Sequence, residues 1–329
     1  MKDTYLITGA AGFVASHITE VLHSKGIKVR GLVRSIAKAK SQNVPLPEDL
    51  VEGDITNKAS LEKAMQEVVG VYHIAALFRE AKSKPSEYFK VNAEGTKNVF
   101  EVAKSLNIPR VIHCSTTGVL GSIKNPPANE DSEYAPCDIY QESKVEAEKI
   151  ALSFYNEGSV RGVIIRPGMI YGPRDTRLLK IFKMIAKARF FYVGPGNAWC
   201  HFIDVRDLAN AFYLAMEHTE LNGKIYTIAG DGQLRLNEFC DKIADILQVQ
   251  KPWLHIPVVP MQLLGDLCEI ICKPFGIEPP LYRRRVDFYI KHRSFDISRA
   301  KNDLGFMPER DFDSELRDII SWYQLQNML

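Results

Sequence analysis

The sequence predicts an α/β protein: a doubly wound parallel sheet followed by a smaller, mostly helical C-terminal region. Three observations predict it. Over the first 170 residues, short β-rich runs alternate with helical stretches, the rhythm of strand–helix–strand units. Runs such as Tyr5-Leu6-Ile7 and Val111-Ile112-His113 are apolar without alternation, as strands covered on both faces require. After Arg166 the rhythm stops, and Pro167, Gly168, Gly172, Pro173, Gly194, Pro195 and Gly196 punctuate the chain.

Taken in order, the strands fall at Thr4–Thr8, Val29–Val33, a run closing at Val51-Glu52-Gly53-Asp54-Ile55, then Val71–Ile74, Arg110–Ser115 and Val160–Arg166. Helical patterns separate them at Phe13–Ser24, Ala59–Val68, Ser86–Ser105 and Tyr140–Tyr155. Residues 1–166 form the sheet domain on this reading. Phe202–Met216 resumes a strand–turn–helix pattern, so 201–222 is expected to return to that domain. The remainder of 167–329 is expected to build over the carboxyl ends of the strands.

Composition narrows the function. A chain of 329 residues suits one large domain or two closely joined ones, with a sizeable core. Its formal net charge of +2, without a long basic block, argues against nucleic acid as a partner. None of the six cysteines forms a C-x-x-C pair, which argues against a zinc site or any other metal. Cys268 and Cys272 sit four apart on an expected helix and read as small apolar residues. The segment Ile256 to Phe275 comes nearest to a membrane span, but Asp266 and Glu269 interrupt it. The N-terminus runs straight into a strand with no signal-peptide pattern, so a cytoplasmic location is expected.

Thr8-Gly9-Ala10-Ala11-Gly12-Phe13-Val14-Ala15 joins the first strand to the first helix. Small residues there permit a sharp turn, a close approach of pyrophosphate to the backbone, and tight helix–strand packing. The phosphates would then meet the free N–H groups and positive dipole end of the helix. This is the fingerprint of a Rossmann dinucleotide site, with Gly9, Ala11, Gly12, Phe13 and Val14 as its cradle. The second strand ends at Val33, where an NAD site commonly carries an acid; Arg34 follows, with Lys38 one turn later. That cationic pair suits a 2′-phosphate, so NADP is favoured over NAD. Asp54 and Ile55 close the third strand. Asp54 reads either as an acceptor for the adenine amino group or as a turn cap.

Tyr140 and Lys144 stand four apart at the start of a helix, hence on one face. A free phenol ionises near pH ~10. A neighbouring ammonium stabilises the phenolate, so Tyr140 is placed to exchange a proton with an alcohol or ketone. Lys144 is also placed to hold ribose hydroxyls. The Tyr-x-x-x-Lys pattern alone is loose; its weight comes from following a strand end in a chain that already has the glycine loop. That strand runs into Ser115-Thr116-Thr117-Gly118. A hydroxyl there would polarise the reacting oxygen, Thr116 being the first choice and Ser115 the second.

Together these residues resemble the extended short-chain dehydrogenase/reductase family. The resemblance runs from the glycine loop through Gly53-Asp54, His73-Ile74-Ala75-Ala76, Val91-Asn92-Ala93-Glu94-Gly95-Thr96 and Ser115-Thr116-Thr117-Gly118-Val119. It continues through Tyr140 and Lys144, Arg166-Pro167-Gly168-Met169-Ile170-Tyr171-Gly172-Pro173, and Phe202-Ile203-Asp204-Val205-Arg206-Asp207. It implies that Ala75 and Ala76 line the adenine-ribose side of the cofactor and that Pro167, Gly168, Met169 and Ile170 border the nicotinamide. It also implies that Thr116 is the catalytic hydroxyl, by its distance before Val119. Asn92 is implied to lie beside the active site or simply to pack.

Leu120 departs from the family's common Val-Tyr-Gly. Thr117-Gly118 replaces the Asp-Glu of the sugar dehydratases, which argues against dehydration. Tyr171 to Leu179 looks most like the 3β-hydroxysteroid and sterol-4α-carboxylate dehydrogenase branch, with dihydroflavonol reductases as neighbours. The implied activity is hydride transfer between a nicotinamide and a secondary alcohol or ketone, with a sterol-like or other apolar hydroxy compound as the implied substrate class. The alternative is a nucleotide-sugar 4-epimerase with tightly bound NAD. The family also implies a homodimer built through the helices Ser86–Ser105 and Tyr140–Tyr155.

Other residues read as structural first. His73, His113 and His201 are candidate functional histidines, but strand-end positions favour a packing role. Arg283-Arg284-Arg285 reads as a solvated face. Phe190, Phe191, Tyr192, Trp199 and Phe202 serve either an apolar substrate pocket or ordinary core packing.

Overall fold

The computed structural model describes residues 3–78, 83–272, 281, 286 and 289–329. Strands β1 (Thr4–Thr8), β2 (Lys28–Val33), β3 (Asp49–Glu52), β4 (Gly70–His73), β5 (Arg110–Cys114) and β6 (Arg161–Pro167) share one parallel sheet with β11 (Ile225–Ile228). The order is β11-β6-β5-β4-β1-β2-β3. The winding therefore reverses between β1 and β4, where a doubly wound sheet opens its crevice.

The apolar runs are explained by which way each residue points. Leu6, Val111 and Ile164 enter a core that also holds Leu61, Val99, Phe100 and Ala151. Their chain neighbours Ile7, Ile112 and Val163 enter the opposite core, with Ile18, Leu22, Leu208 and Phe212. One layer of helices is thus α3 (Lys58–Ala64), α5 (Gly95–Ser105) and α6 (Ile139–Glu157); the other is α1 (Phe13–Ser24) and α8 (Val205–Glu217). The short helices α2 (Ile36–Lys40) and α4 (Pro85–Tyr88) complete this half.

The C-terminal half contains α7 (Leu179–Ala186), α9 (Leu236–Leu247) and α10 (Val258–Cys272), then the helices Ser298–Leu304 and Phe312–Leu325. Three two-stranded ribbons tie it together: β7 (Met169–Tyr171) with β10 (Phe202–Asp204), β8 (Tyr192–Val193) with β13 (His255–Ile256), and β9 (Trp199–Cys200) with β12 (Leu234–Arg235). Its core is aromatic, built on Tyr171, Phe182, Phe202, Phe239 and Tyr323. No helix among the described residues is long and apolar enough to cross a membrane.

Three elements differ from the sequence reading. The expected helix Ser86–Ser105 is divided by a π-helical stretch, Phe89–Glu94, between α4 and α5. A π turn inserts a residue and re-aims the side chains around it, which a 3.6-residue periodicity does not register. The expected helix Ala59–Val68 stops at Ala64, and Glu67 takes a left-handed backbone with φ of 59°. The strand at Phe202 pairs with β7 rather than with the main sheet; the seventh strand of that sheet is β11, a four-residue run beyond 222.

Glu315 lies buried in the C-terminal core, where the Tyr171 hydroxyl donates to it. Burial pushes its carboxyl from an ordinary 4.5 up to about 8, with Asp204 and Asp207 adding to the rise. The folded chain therefore holds a proton that the unfolded chain releases above 4.5. Stability should be full below 4.5 and fall as pH rises through 8. Glu315→Gln keeps a neutral acceptor for Tyr171 and lacks that penalty. Its thermal midpoint should match the parent's in acid and exceed it increasingly in alkali, by about 1–3 kcal/mol of stability. A constant difference across the range would disprove the assignment.

Candidate active site

The cradle begins where β1 ends. Gly9 has a φ of +68°, and a Cβ built on it would stand 3.0 Å from the Ala75 Cα. No side chain fits without parting β1 from β4. The Gly9 and Ala10 N–H groups donate to the Leu32 carbonyl at 3.0 and 3.2 Å, and that of Gly12 donates to the Gly9 carbonyl at 2.8 Å. Gly12 opens α1 with no side-chain cap. The first-turn N–H groups are left for another acceptor, and the missing Cβ atoms leave the backbone open to a phosphate.

A buried relay fixes the opposite wall. The Thr96 hydroxyl donates to the Asn92 carbonyl at 2.6 Å, so its oxygen accepts from His73 Nε2 at 2.9 Å. His73 Nδ1 then accepts the Thr8 hydroxyl at 2.9 Å, and the Thr8 oxygen accepts the N–H groups of Ile74 and Ala75, both at 3.1 Å. Burial, and secondarily the charge of Lys144, push His73 down to about 3. It is neutral and structural, and it sets the strand end that carries Ala75 and Ala76.

Asn92 governs the loop beyond. Its Oδ1 accepts the Leu77 N–H at 2.7 Å, while Nδ2 donates to the Leu77 carbonyl at 3.1 Å and to Ser143 Oγ at 2.9 Å. The π turn that presents Asn92 thereby ties the β4 loop to α6 at Ser143, the residue directly before Lys144. On that loop Phe78 meets the Tyr140 ring edge-on, with centroids 5.1 Å apart.

Asp138 caps α6 by accepting the Gln141 N–H at 2.9 Å. Tyr140 and Lys144 follow, both buried. Lys144 Nζ donates to the Cys114 carbonyl at 2.7 Å. Burial lowers the Lys144 pKa, against the pull of Cys114 and Glu148. Its charge is felt nearby: after burial, it is the next cause lowering both His73 and His113. Cys114 is pushed up to about 11 by burial, so its thiol stays protonated near neutrality.

The three hydroxyls after β5 take different roles. Ser115 Oγ is buried without a hydrogen-bond partner among the described residues. Thr116 Oγ1 accepts the Gly118 N–H at 3.0 Å, capping the 3-10 turn Thr117–Leu120, and keeps its own proton uncommitted among the described residues. The Thr117 hydroxyl donates to the Pro167 carbonyl at 3.1 Å and holds the β6 end in place.

One turn past Lys144, Glu148 makes a bidentate ion pair with Arg166 of β6. The contacts are Nε to Oε1 at 2.9 Å and Nη2 to Oε2 at 2.7 Å, with side-chain exposures of 0 and 1%. Tyr134 donates to the same carboxylate at 2.8 Å, and Arg166 Nη1 donates to the Glu130 carbonyl at 3.3 Å. This pair joins the helix carrying Tyr140 and Lys144 to the strand leading to Pro167.

These groups surround one cleft of about 1510 Å³. Gly9, Ala11, Gly12, Phe13 and Val14 line one side of it. Arg34, Lys38, Asp54 and Ile55 line the β2–β3 end, and Ala75 and Ala76 face the loop. Ser115, Thr116, Tyr140, Lys144 and the stretch Pro167, Gly168, Met169 and Ile170 line the rest. Arg34 and Lys38 are exposed, and neither makes an ion pair among the described residues. Asp54 also serves its turn, with Oδ1 accepting the Thr56 N–H and hydroxyl, both at 2.8 Å.

Arg177 is a lining residue the sequence did not single out. It donates to Asp175 at 2.8 Å and to the Ile170 carbonyl at 2.9 Å, and it lies 5.0 Å from the Phe13 ring centre. The Asp175-x-Arg177 spacing was the available signal. Of the aromatic run, Phe191 reaches the cleft, whereas Phe190, Tyr192 and Phe202 pack in the C-terminal core and Trp199 stacks under Arg235. His201 is structural: Nε2 donates to the Gly230 carbonyl at 2.9 Å and Nδ1 accepts the Phe295 N–H at 3.2 Å. His113 is fully buried against the His73 ring, and neither ring nitrogen has a partner among the described residues. Arg283, Arg284 and Arg285 lie outside the described residues.

Comparison with known proteins follows the same lines. The sequence model of the "NAD dependent epimerase/dehydratase family" matches residues 5–229. The chain is 27% identical to a putative dihydroflavonol 4-reductase of Synechocystis sp., over 98% of this chain and 95% of that protein. It is 26% identical to N-acetyl-alpha-D-glucosaminyl-diphospho-ditrans,octacis-undecaprenol 4-epimerase of Escherichia coli O157:H7, over 93% and 91%. It is 27% identical to 3beta-hydroxysteroid-dehydrogenase/decarboxylase isoform 2 of Arabidopsis thaliana, over 92% of this chain but 59% of that protein. Among solved structures, gox2253 superposes with a TM-score of 0.83 at 28% identity, covering all of both chains.

Proposed function

The chain belongs to the NAD dependent epimerase/dehydratase family, and from that premise we propose an NADP(H)-preferring oxidoreductase for a secondary alcohol, or its ketone, on an apolar molecule. One observation carries the reading: a single cleft runs from the glycine cradle, past Tyr140 and Lys144, to a wall of Ile181, Met184, Phe191, Val193, Met261 and Tyr289. Cofactor and apolar substrate can meet there beside a phenol.

The cradle would hold the pyrophosphate, Asp54 and Ile55 the adenine, Ala75 and Ala76 the ribose beside it, and Pro167 to Ile170 the nicotinamide. When bound, the dinucleotide supplies the hydride exchange. The chain's own residues do the rest. Thr116 donates to the substrate oxygen and orients it, while Ser115, buried without a partner among the described residues, is the second candidate for that contact. Tyr140 transfers the proton to or from that oxygen. Lys144, fixed on the Cys114 carbonyl, favours the phenolate electrostatically and offers its remaining protons to ribose hydroxyls. The Phe78 ring covers Tyr140 and keeps water from it.

The E. coli relative supports a second reading, a 4-epimerase that retains NAD. Purification separates the two. NADPH consumed in step with a ketone supports the oxidoreductase; NAD that stays bound, with no net consumption, supports the epimerase. Homologous dimerisation through α5 and α6 belongs to the same proposal, and light scattering tests it.

Cofactor choice rests on Arg34 and Lys38. Arg34→Ala should raise KM for NADPH about tenfold, the worth of one charge-assisted contact, and leave KM for NADH nearly unchanged. Equal effects on both cofactors would remove Arg34 from the 2′-phosphate.

A further inference from the structure

We propose that the outward face of α10, together with the basic end of α7, docks on an anionic phospholipid bilayer. At 100° per residue α10 divides into three sectors. Met261, Gly265, Cys268 and Cys272 face inward; Gly265 is buried and Met261 lines the cleft. Gln262, Asp266 and Glu269 fall on a second sector, half-buried, and both acids are already engaged by other groups. The third sector carries Val259, Leu263, Leu264, Leu267, Ile270 and Ile271. All six are exposed, Leu263 at 63% and Ile270 at 69%. The stripe runs about 18 Å along the helix. Trp253, 71% exposed, and Leu254 precede it. A contiguous apolar surface of this kind marks a binding face rather than scattered exposure.

Charge identifies the occupant. The β8–β13 pairing sets His255 opposite Tyr192, whose N–H donates to the Leu254 carbonyl at 2.8 Å. This brings the segment that follows α7 to the Trp253–Leu254 end of the apolar stripe. Lys183, Lys187 and Arg189 there are exposed and make no ion pair among the described residues. Apolar side chains and a tryptophan flanked by unpaired cations match the apolar interior and anionic headgroups of a bilayer. Because Met261 is the inner side of the same helix, docking would place the cleft mouth at the bilayer surface. The inference does not depend on the substrate or on catalysis.

Sedimentation with phosphatidylcholine vesicles, with and without phosphatidylglycerol, tests it on the full chain. The parent should pellet with the phosphatidylglycerol vesicles and far less with phosphatidylcholine alone. Leu263→Asp with Leu267→Asp should weaken pelleting at least tenfold, roughly the loss of two buried leucines. Lys187→Glu with Arg189→Glu should abolish its salt sensitivity. Leu325→Asp, exposed on the last helix, should change nothing. Thermal midpoints and dinucleotide binding report that each variant is folded, and Leu263→Gln replaces the double variant if it is not. The proposal fails if the parent ignores both vesicles, or if the leucine variant pellets like the parent. It also fails if that variant instead dissolves a dimer, in which case the face joins two copies.

Discussion

Tyr140→Phe is expected to lower kcat by roughly two to four orders of magnitude, the usual worth of a positioned general acid or base. Dinucleotide affinity should change little, because the cradle, Lys144 and Pro167 to Ile170 are untouched. The phenyl ring keeps the edge-on contact with Phe78, so packing is preserved and only the hydroxyl is lost. Lys144→Met should also lower kcat and move the alkaline limb of its pH profile to higher pH. Removing the cation leaves the phenolate less favoured. Steady-state rates with titration calorimetry for NADPH separate these effects. A Phe variant that retains activity takes the proton step away from Tyr140.

Arg166→Met should be the most destabilising single change near the cleft, by about 3–5 kcal/mol, because Glu148 then remains buried without its cation. Tyr134 and the backbone contacts cannot neutralise that charge. Arg166→Met combined with Glu148→Met should recover most of the loss, since two apolar side chains replace a costly desolvated pair. Thermal unfolding of the two single variants and the double decides it. A double variant no more stable than Arg166→Met would show that the pair acts through something other than its charge.

Much of this architecture was readable beforehand. Leu6 and Ile7 cannot both be satisfied on one face, so adjacent apolar residues announced a strand covered on both sides, and the two cores take them separately. The glycine loop was legible because only glycine tolerates the backbone and the contact at Gly9. Tyr140 and Lys144 were legible because a helix turn fixes their relation locally. What escaped depends on distant partners. Asn92 acts through the backbone of Leu77, and nothing near Asn92 in sequence encodes that. Four residues at Ile225–Ile228 become a strand because β6 offers them an edge. Arg177 reaches the cleft only because Phe13 and Ile170 lie under it. The open face of α10 was half legible: Ile256 to Phe275 read as an apolar stretch broken by Asp266 and Glu269, but which of its residues stay uncovered depends on what packs beneath the helix.

The relay through His73 has one more consequence. Each hydrogen bond in it has a fixed direction: Thr8 gives, His73 receives and gives, Thr96 receives and gives, and the Asn92 carbonyl ends the line. A second ring proton would have to expel the one from Thr8, which would then release Ile74 and Ala75. The spacing between the cradle and the wall opposite is therefore guarded by a one-way wire that mild acidification cannot reverse.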